Sequence, residues 1–106
     1  MGNNWRRYEV LLPLQYNDGR EVPRELLAEA SQEIAKHFGA DSYETQKVEG
    51  QWRSDGFIFR ENMVRLFVDV PDNETSRAWM KDFKARWKDR LQQLDLWMVS
   101  HSIEVE

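Results

Sequence analysis

Trp52, Arg53, Arg65 and His101 are the residues whose types could do chemistry in this chain. Trp52 and Arg53 stand side by side in GQWRSDGFIFREN, residues 50–62, where an indole offers a flat face and a guanidinium a bidentate clamp for an anion. The pair could therefore edge a ligand pocket. The same stretch also reads as a hairpin closed by Ser-Asp-Gly, with Trp52 against Phe57 or Phe59 across the strands, Arg53 paired with a carboxylate such as Glu61, and Gly56 supplying a positive φ. The hairpin is the simpler reading. His101 could act as a general base near neutral pH, but a base needs an orienting partner and a cleft, and the sequence displays neither. A histidine satisfied by its neighbours explains it with less. His37 closes the first helical pattern, where a cation suits the helix C-terminus.

No glycine-rich phosphate loop, G-x-S-x-G elbow, H-E-x-x-H or Walker pattern is present. The chain has no cysteine and only two histidines, which removes thiolate nucleophiles, disulfide frameworks and histidine-rich metal centres. Neither a metal nor a cofactor is expected. Asp18 follows the first strand, a position at which some ferredoxin-like nucleases carry a metal-binding aspartate, yet a single carboxylate makes a poor magnesium site and Asn17-Asp18-Gly19 is a turn signal.

At 106 residues, 41% hydrophobic and with five Trp and five Phe, the chain predicts one domain with a core of its own. The net charge of −4 argues against affinity built on neutralising phosphates, and the basic stretch KDFKARWKDR, residues 81–90, has acids interleaved as on a solvated helix face. Nucleic acid is therefore a poor fit. MGNNWRRYEV lacks the apolar segment of a signal peptide, no run reaches the roughly 18 apolar residues of a membrane span, and Arg6 stands where a myristoylation signal needs Ser or Thr. A cytoplasmic location is expected.

Chemistry at these residues depends on the elements that position them. RYEVLLPLQ places Tyr8, Val10, Leu12 and Leu14 at period two, predicting a strand over Arg7 to Gln15 that frays or bulges at Pro13. Leu26, Leu27, Ala30, Ile34 and Phe38 predict a helix over 23–38, with Pro23 in its first turn and Gly39 just past its end. Ser42 to Trp52 has the composition of an edge strand. From Phe57 the chain returns, with Val64, Leu66, Val68 and Val70 alternating against Met63, Arg65, Phe67 and Asp69 until Pro71. Residues 72–76 offer capping side chains, and a second helix to about Leu94 carries Trp79, Phe83, Trp87, Leu91 and Leu94 on one stripe. Leu96 to Val105 alternates as a last strand.

The order βαββαβ predicts an α+β, ferredoxin-like sandwich: a four-stranded antiparallel sheet with two helices on one face. Its uncovered face should carry Leu11, Met63, Arg65 and Phe67 with either Leu96 and Met98 or Trp97 and Val99, and Glu9 and Asp69 among them. Such an apolar strip is a candidate interface. Leu11, Met63, Phe67 and Met98 are accordingly the expected interface residues of a homodimer formed through the sheet face or an edge, an unidentified protein partner being the other occupant. A sheet with Phe67 and Trp97 exposed could stack RNA bases, but the acidic charge and the missing K/R-G-F/Y signature oppose that.

GQWRSDGFIFRE, the strand VRLFVDVPD, and the W-x3-F-x3-W helix running to LQQLDLWMV resemble a family of short bacterial proteins of uncharacterised function, some of them secreted. The match spans most of the chain, and its most specific part is Gly50, Trp52, Arg53, Gly56, Ile58 and Glu61. The resemblance implies a ferredoxin-like fold and carries no catalytic residue across. Unlike the secreted members, this chain lacks a signal segment. The expected role is a non-catalytic homo-oligomeric interaction or regulatory domain. The alternative is a small-ligand protein or enzyme of the dimeric α+β barrel type, with Trp52, Arg53, Arg65 and His101 lining a pocket between sheet and helices. A nuclease-like or RNA-binding role ranks below both.

Overall fold

The computed structural model describes residues 4–39, 43–54 and 57–106, with backbone alone for 43–54 and 57–62. The elements run β1 (Trp5–Pro13), α1 (Arg24–Phe38), β2 (Tyr43–Ser54), β3 (Phe57–Pro71), α2 (Glu74–Arg90) and β4 (Met98–Ile103). Strand β1 pairs antiparallel with both β3 and β4, and β2 pairs antiparallel with β3, giving the order β2-β3-β1-β4. Side chains are described across the three-stranded part formed by β3, β1 and β4, and β2 continues it along the outer edge of β3. Chain order and helix placement are those of an α+β, ferredoxin-like fold.

Alternation decides which side is buried. Tyr8, Val10 and Leu12 of β1 face the same way as Leu66, Val68 and Val70 of β3, and all six are buried. Against them lie Ala30 and Ile34 of α1 and Met80, Phe83 and Trp87 of α2, so both helices cover one face. Strand β1 begins two residues earlier than its alternation suggests and stops at Pro13, which has no N–H to carry a ladder onward. Leu14 leaves the strand, and its carbonyl accepts the N–H of Val22 (2.9 Å) across a tight loop in which Gly19 takes φ +90°.

Helix α1 starts on the carbonyl of Pro23 and ends where Gly39, at φ +105°, returns its N–H to Ala35 (2.7 Å). Helix α2 is capped by Asn73, whose side chain accepts the Ser76 N–H (2.8 Å). It ends at Arg90 rather than near Leu94, because Gln92 adopts φ +56° and the Gln93 N–H closes on the Lys88 carbonyl (3.0 Å), the signature of a Schellman stop. The consequence is a change of core membership: Leu94 is 95% exposed, while Leu96 is buried in its place. The buried stripe is Met80, Phe83, Trp87 and Leu91, and Trp79 is half-covered, stacked on His37 at 4.4 Å between ring centres.

The helices are tied together on their outer side. Trp87, wholly buried, donates its indole N–H to Glu33 (3.1 Å), Arg86 pairs with Glu33 and Asp82, and Arg90 grips Glu29 with two hydrogen bonds (3.0 and 2.7 Å) while lying 4.3 Å over the Trp87 ring. The Arg90 hydrogen bonds hold the Glu29 carboxyl below the usual glutamate range. No helix among the described residues is long and apolar enough to cross a membrane.

Two outcomes follow from this packing. In urea titrations, Phe83→Ala lowers stability by about 3–5 kcal/mol, the usual cost of emptying a wholly buried aromatic site, whereas Leu94→Ala stays within roughly 0.5 kcal/mol. Because the folded chain binds the Glu29 proton less tightly than the unfolded chain, its contribution is present above the unfolded value of about 4.3 and is lost as pH falls through the lower folded value. Melting curves between pH 6 and 2 should therefore show the native protein losing more on acidification than Glu29→Gln, the gap closing at the acid end.

Candidate functional site

The side of the sheet turned away from the helices is built by the odd-numbered residues of β1. Register sets Arg7 between Asp69 and His101, Glu9 between Phe67 and Val99, Leu11 beside Arg65, and Pro13 beside Met63. Except for His101, which is exposed, these residues are half-buried even in a single chain, because each long side chain shields its neighbours in the row.

One end of this face is tightly organised. Arg7 donates two hydrogen bonds to Asp69 (2.7 and 2.9 Å) and its guanidinium lies 5.0 Å from the centre of the Phe67 ring. With about a third of each partner exposed, solvent limits what the pair adds to stability. Its effect is to fix the Phe67 ring in the middle of the face. Glu9, in the row of Phe67, makes no hydrogen bond or ion pair among the described residues. A half-buried carboxylate set between an aromatic ring and Val99 suits a cationic group brought from outside.

The other end is apolar. The Leu11 N–H reaches the Trp97 carbonyl (3.0 Å), which draws the segment before β4 over the corner of the sheet. A cavity of about 140 Å³ opens there among Leu11, Pro13, Met63, Leu96 and Trp97, with Gln93 and Asp95 beside them. A larger cavity of about 570 Å³ lies at the opposite end, where Arg6 is bonded to Asp72 (3.0 Å) and to Ser100 (3.1 Å). Between the sheet and the helices, where the small-ligand alternative sets its pocket, the described residues Trp87, Phe83, Met80 and the buried strand residues form one packed core.

The four ligand candidates fall in separate places. His101 is exposed in the row of Arg7, and Arg65 stands four residues further along β3, about 13 Å at the strand rise. Trp52 and Arg53 sit near the far end of the β2–β3 hairpin, opposite Phe59 and Ile58, some 20 Å beyond the Arg65 row. Their side chains and Gly56 lie outside the described residues. The register alone corrects one expectation: Glu61 stands opposite Gly50 on the side shared with Trp52, so Arg53 and Glu61 occupy different faces of the hairpin. Register thus sets His101, Arg65 and the Trp52–Arg53 pair in separate rows of the sheet.

Of the interface candidates, Leu11, Met63 and Phe67 lie on the open face. Met98 does not: it stands opposite Val10 and packs against the core, leaving Val99 and Trp97 to the open side. Arg7 was missed as a site residue because its role depends on Asp69, 62 positions away in sequence. The Asp18 carboxylate is used within its own turn, accepting the backbone N–H (3.0 Å) and guanidinium (2.6 Å) of Arg20, which together lower its pKa. No cluster of three or more metal-ligating side chains occurs among the described residues.

No family model matches this sequence, and no curated protein does. Solved structures do match in shape. A phage SAM lyase in complex with S-methyl-5'-thioadenosine aligns with a TM-score of 0.64 at 13% identity, covering 100% of this chain and 94% of the lyase. CutA from Synechococcus elongatus PCC7942 gives 0.63 at 8% identity, over 96% of this chain and 79% of that one. A Bacillus cereus protein related to NIF3 gives 0.63 at 10% identity over 99% of this chain but 27% of its own. At these identities the likeness establishes the α+β fold that the chain shares with them and nothing of their activities.

Proposed function

We propose that this protein works by self-association through its open sheet face, as a non-catalytic interaction or regulatory domain whose functional form is a homo-oligomer, most simply a homodimer. The observation that carries this reading is the strip of Leu11, Met63, Phe67, Val99 and Trp97, fixed at one end by the Arg7–Asp69 pair and left without a helix over it. A sheet with one face packed and one face apolar gains free energy by covering the second face, at roughly 25 cal/mol per Å² of apolar surface removed from water. Light scattering over a concentration series tests it. The expected result is a mass at least twice the 12.7 kDa of the chain, reduced to that of the chain by Phe67→Glu combined with Leu11→Glu. An unchanged oligomer in that double variant sinks the sheet-face reading.

A second reading, a small-ligand protein or enzyme, is favoured by one feature: the Glu9 carboxylate without a partner among the described residues, beside the Phe67 ring. The full-length likeness to a phage SAM lyase whose structure holds S-methyl-5'-thioadenosine suggests the class of molecule to try, a sulfonium nucleoside such as S-adenosylmethionine. Its cationic sulfur would meet a carboxylate and an aromatic face. Thermal-shift titration with S-adenosylmethionine and with S-methyl-5'-thioadenosine should raise the melting temperature of the native chain and leave Glu9→Gln unmoved by the sulfonium. Flat responses to both compounds remove this reading.

A further inference from the structure

The β2–β3 ribbon is longer than the sheet it belongs to. Strand β1 accompanies β3 only as far as the Pro13–Met63 pair, whereas β2 and β3 stay in register for six further rows, from Glu49–Asn62 to Ser54–Phe57. At about 3.4 Å per residue this is an arm of roughly 20 Å. It accounts for a long axis of 50 Å and a radius of gyration of 14.8 Å, against about 13 Å for a compact domain of this length. A two-stranded ribbon in water is marginally stable unless something covers it.

The residue pattern says which side needs cover. Register puts Val48, Trp52, Phe57 and Phe59 on the side of the ribbon that continues the open face through Met63, interrupted by Glu61. Lys47, Glu49, Gln51, Arg53, Arg60 and Asn62 fall on the opposite side, with Ile58 its one apolar member. The arm is thus amphipathic at period two, and its apolar side leads past Glu61 and Arg65 into Leu11, Phe67 and the corner cavity beside Trp97.

We infer that the arm of one copy lies, apolar side down, across the open sheet face of a second copy. This rests on the self-association reading and specifies the element that performs it. Three matches favour a second copy as the occupant. The arm's six rows fit within the nine paired rows of β1 and β3 on the open face. Both surfaces carry apolar residues along their middle, the arm Trp52 and Phe59 and the face Leu11 and Phe67, with Glu61 on the arm and Glu9 and Arg65 on the face among them. The area also suffices: three aromatic residues covering about 150–250 Å² each, joined by Val48 and Met63, approach the roughly 800 Å² per partner of a stable interface. Exchange of arms closes as a two-fold pair or as a small ring.

Because the native chain lacks cysteine, single thiols report this contact cleanly. Copies carrying Ser54→Cys near the arm's end are mixed with copies carrying Val99→Cys on the open face and treated with a short bis-maleimide. In parallel, Phe59→Glu and Phe67→Glu chains are compared by light scattering, with circular dichroism confirming that each is folded. The expected result is a Ser54→Cys to Val99→Cys cross-link between copies, with each glutamate variant weakening association at least tenfold. If Phe67→Glu dissociates the assembly while Phe59→Glu assembles like the native chain and the cross-link fails, the face associates without the arm and this inference is overturned alone. A monomer at every concentration overturns both the inference and the self-association beneath it.

Discussion

Everything on the outside of this molecule follows from the burial of Trp87 and Phe83 against the apolar rows of β1 and β3. These are the two largest wholly buried side chains among the described residues, and they lie on one helix, so α2 must rest on the Tyr8–Val10–Leu12 side of the sheet. Helix α1 is bound to the same side through Ala30 and Ile34, and the Glu29, Glu33, Arg86 and Arg90 cluster joins the two helices across their outer surface. Both helices spent on one face leave none for the other. The open face is a consequence of how the core is filled.

That division also shapes the outer surface. Among the described residues, Trp87, Phe83 and Met80 pack against the strands as a core, and the outer side of the sheet carries Arg7, Glu9, Leu11 and Phe67, with cavities at its ends. Arg7 is engaged by Asp69, His101 is exposed, and Glu9 stands in the row of Phe67 and Val99. A carboxylate that pairs with nothing among the described residues costs free energy to cover unless the arriving group answers its charge.

The elements with strong local signals were legible from the sequence. Tyr8, Val10 and Leu12, then Leu66, Val68 and Val70, alternate so regularly that only one face of each strand can be buried, and Pro13, Pro71 and Gly39 mark ends through constraints that act within a residue or two. The end of α2 was not legible. Leu91 and Leu94 both continue the helical stripe, and nothing in LQQLDL announces that a glutamine rather than a glycine takes the left-handed conformation. The site was legible in part: Leu11, Met63 and Phe67 follow from strand parity, but the separation of His101 from Arg65, and of both from Trp52 and Arg53, depends on register between distant strands.

By itself the sequence determined the element types, their βαββαβ order and the apolar face of each long strand, because hydrophobic periodicity and the backbone limits of proline and glycine operate locally. Tertiary structure alone decided which of Met98 and Val99 faces the core, since a shift of one residue in the pairing of β4 with β1 would exchange them. It also decided that Leu96 rather than Leu94 is buried, that Arg7 meets Asp69, and that β2 and β3 outrun β1 as a paired arm. Each of these is a relation between segments far apart in the chain, and only the packing of the whole sheet brings those segments together.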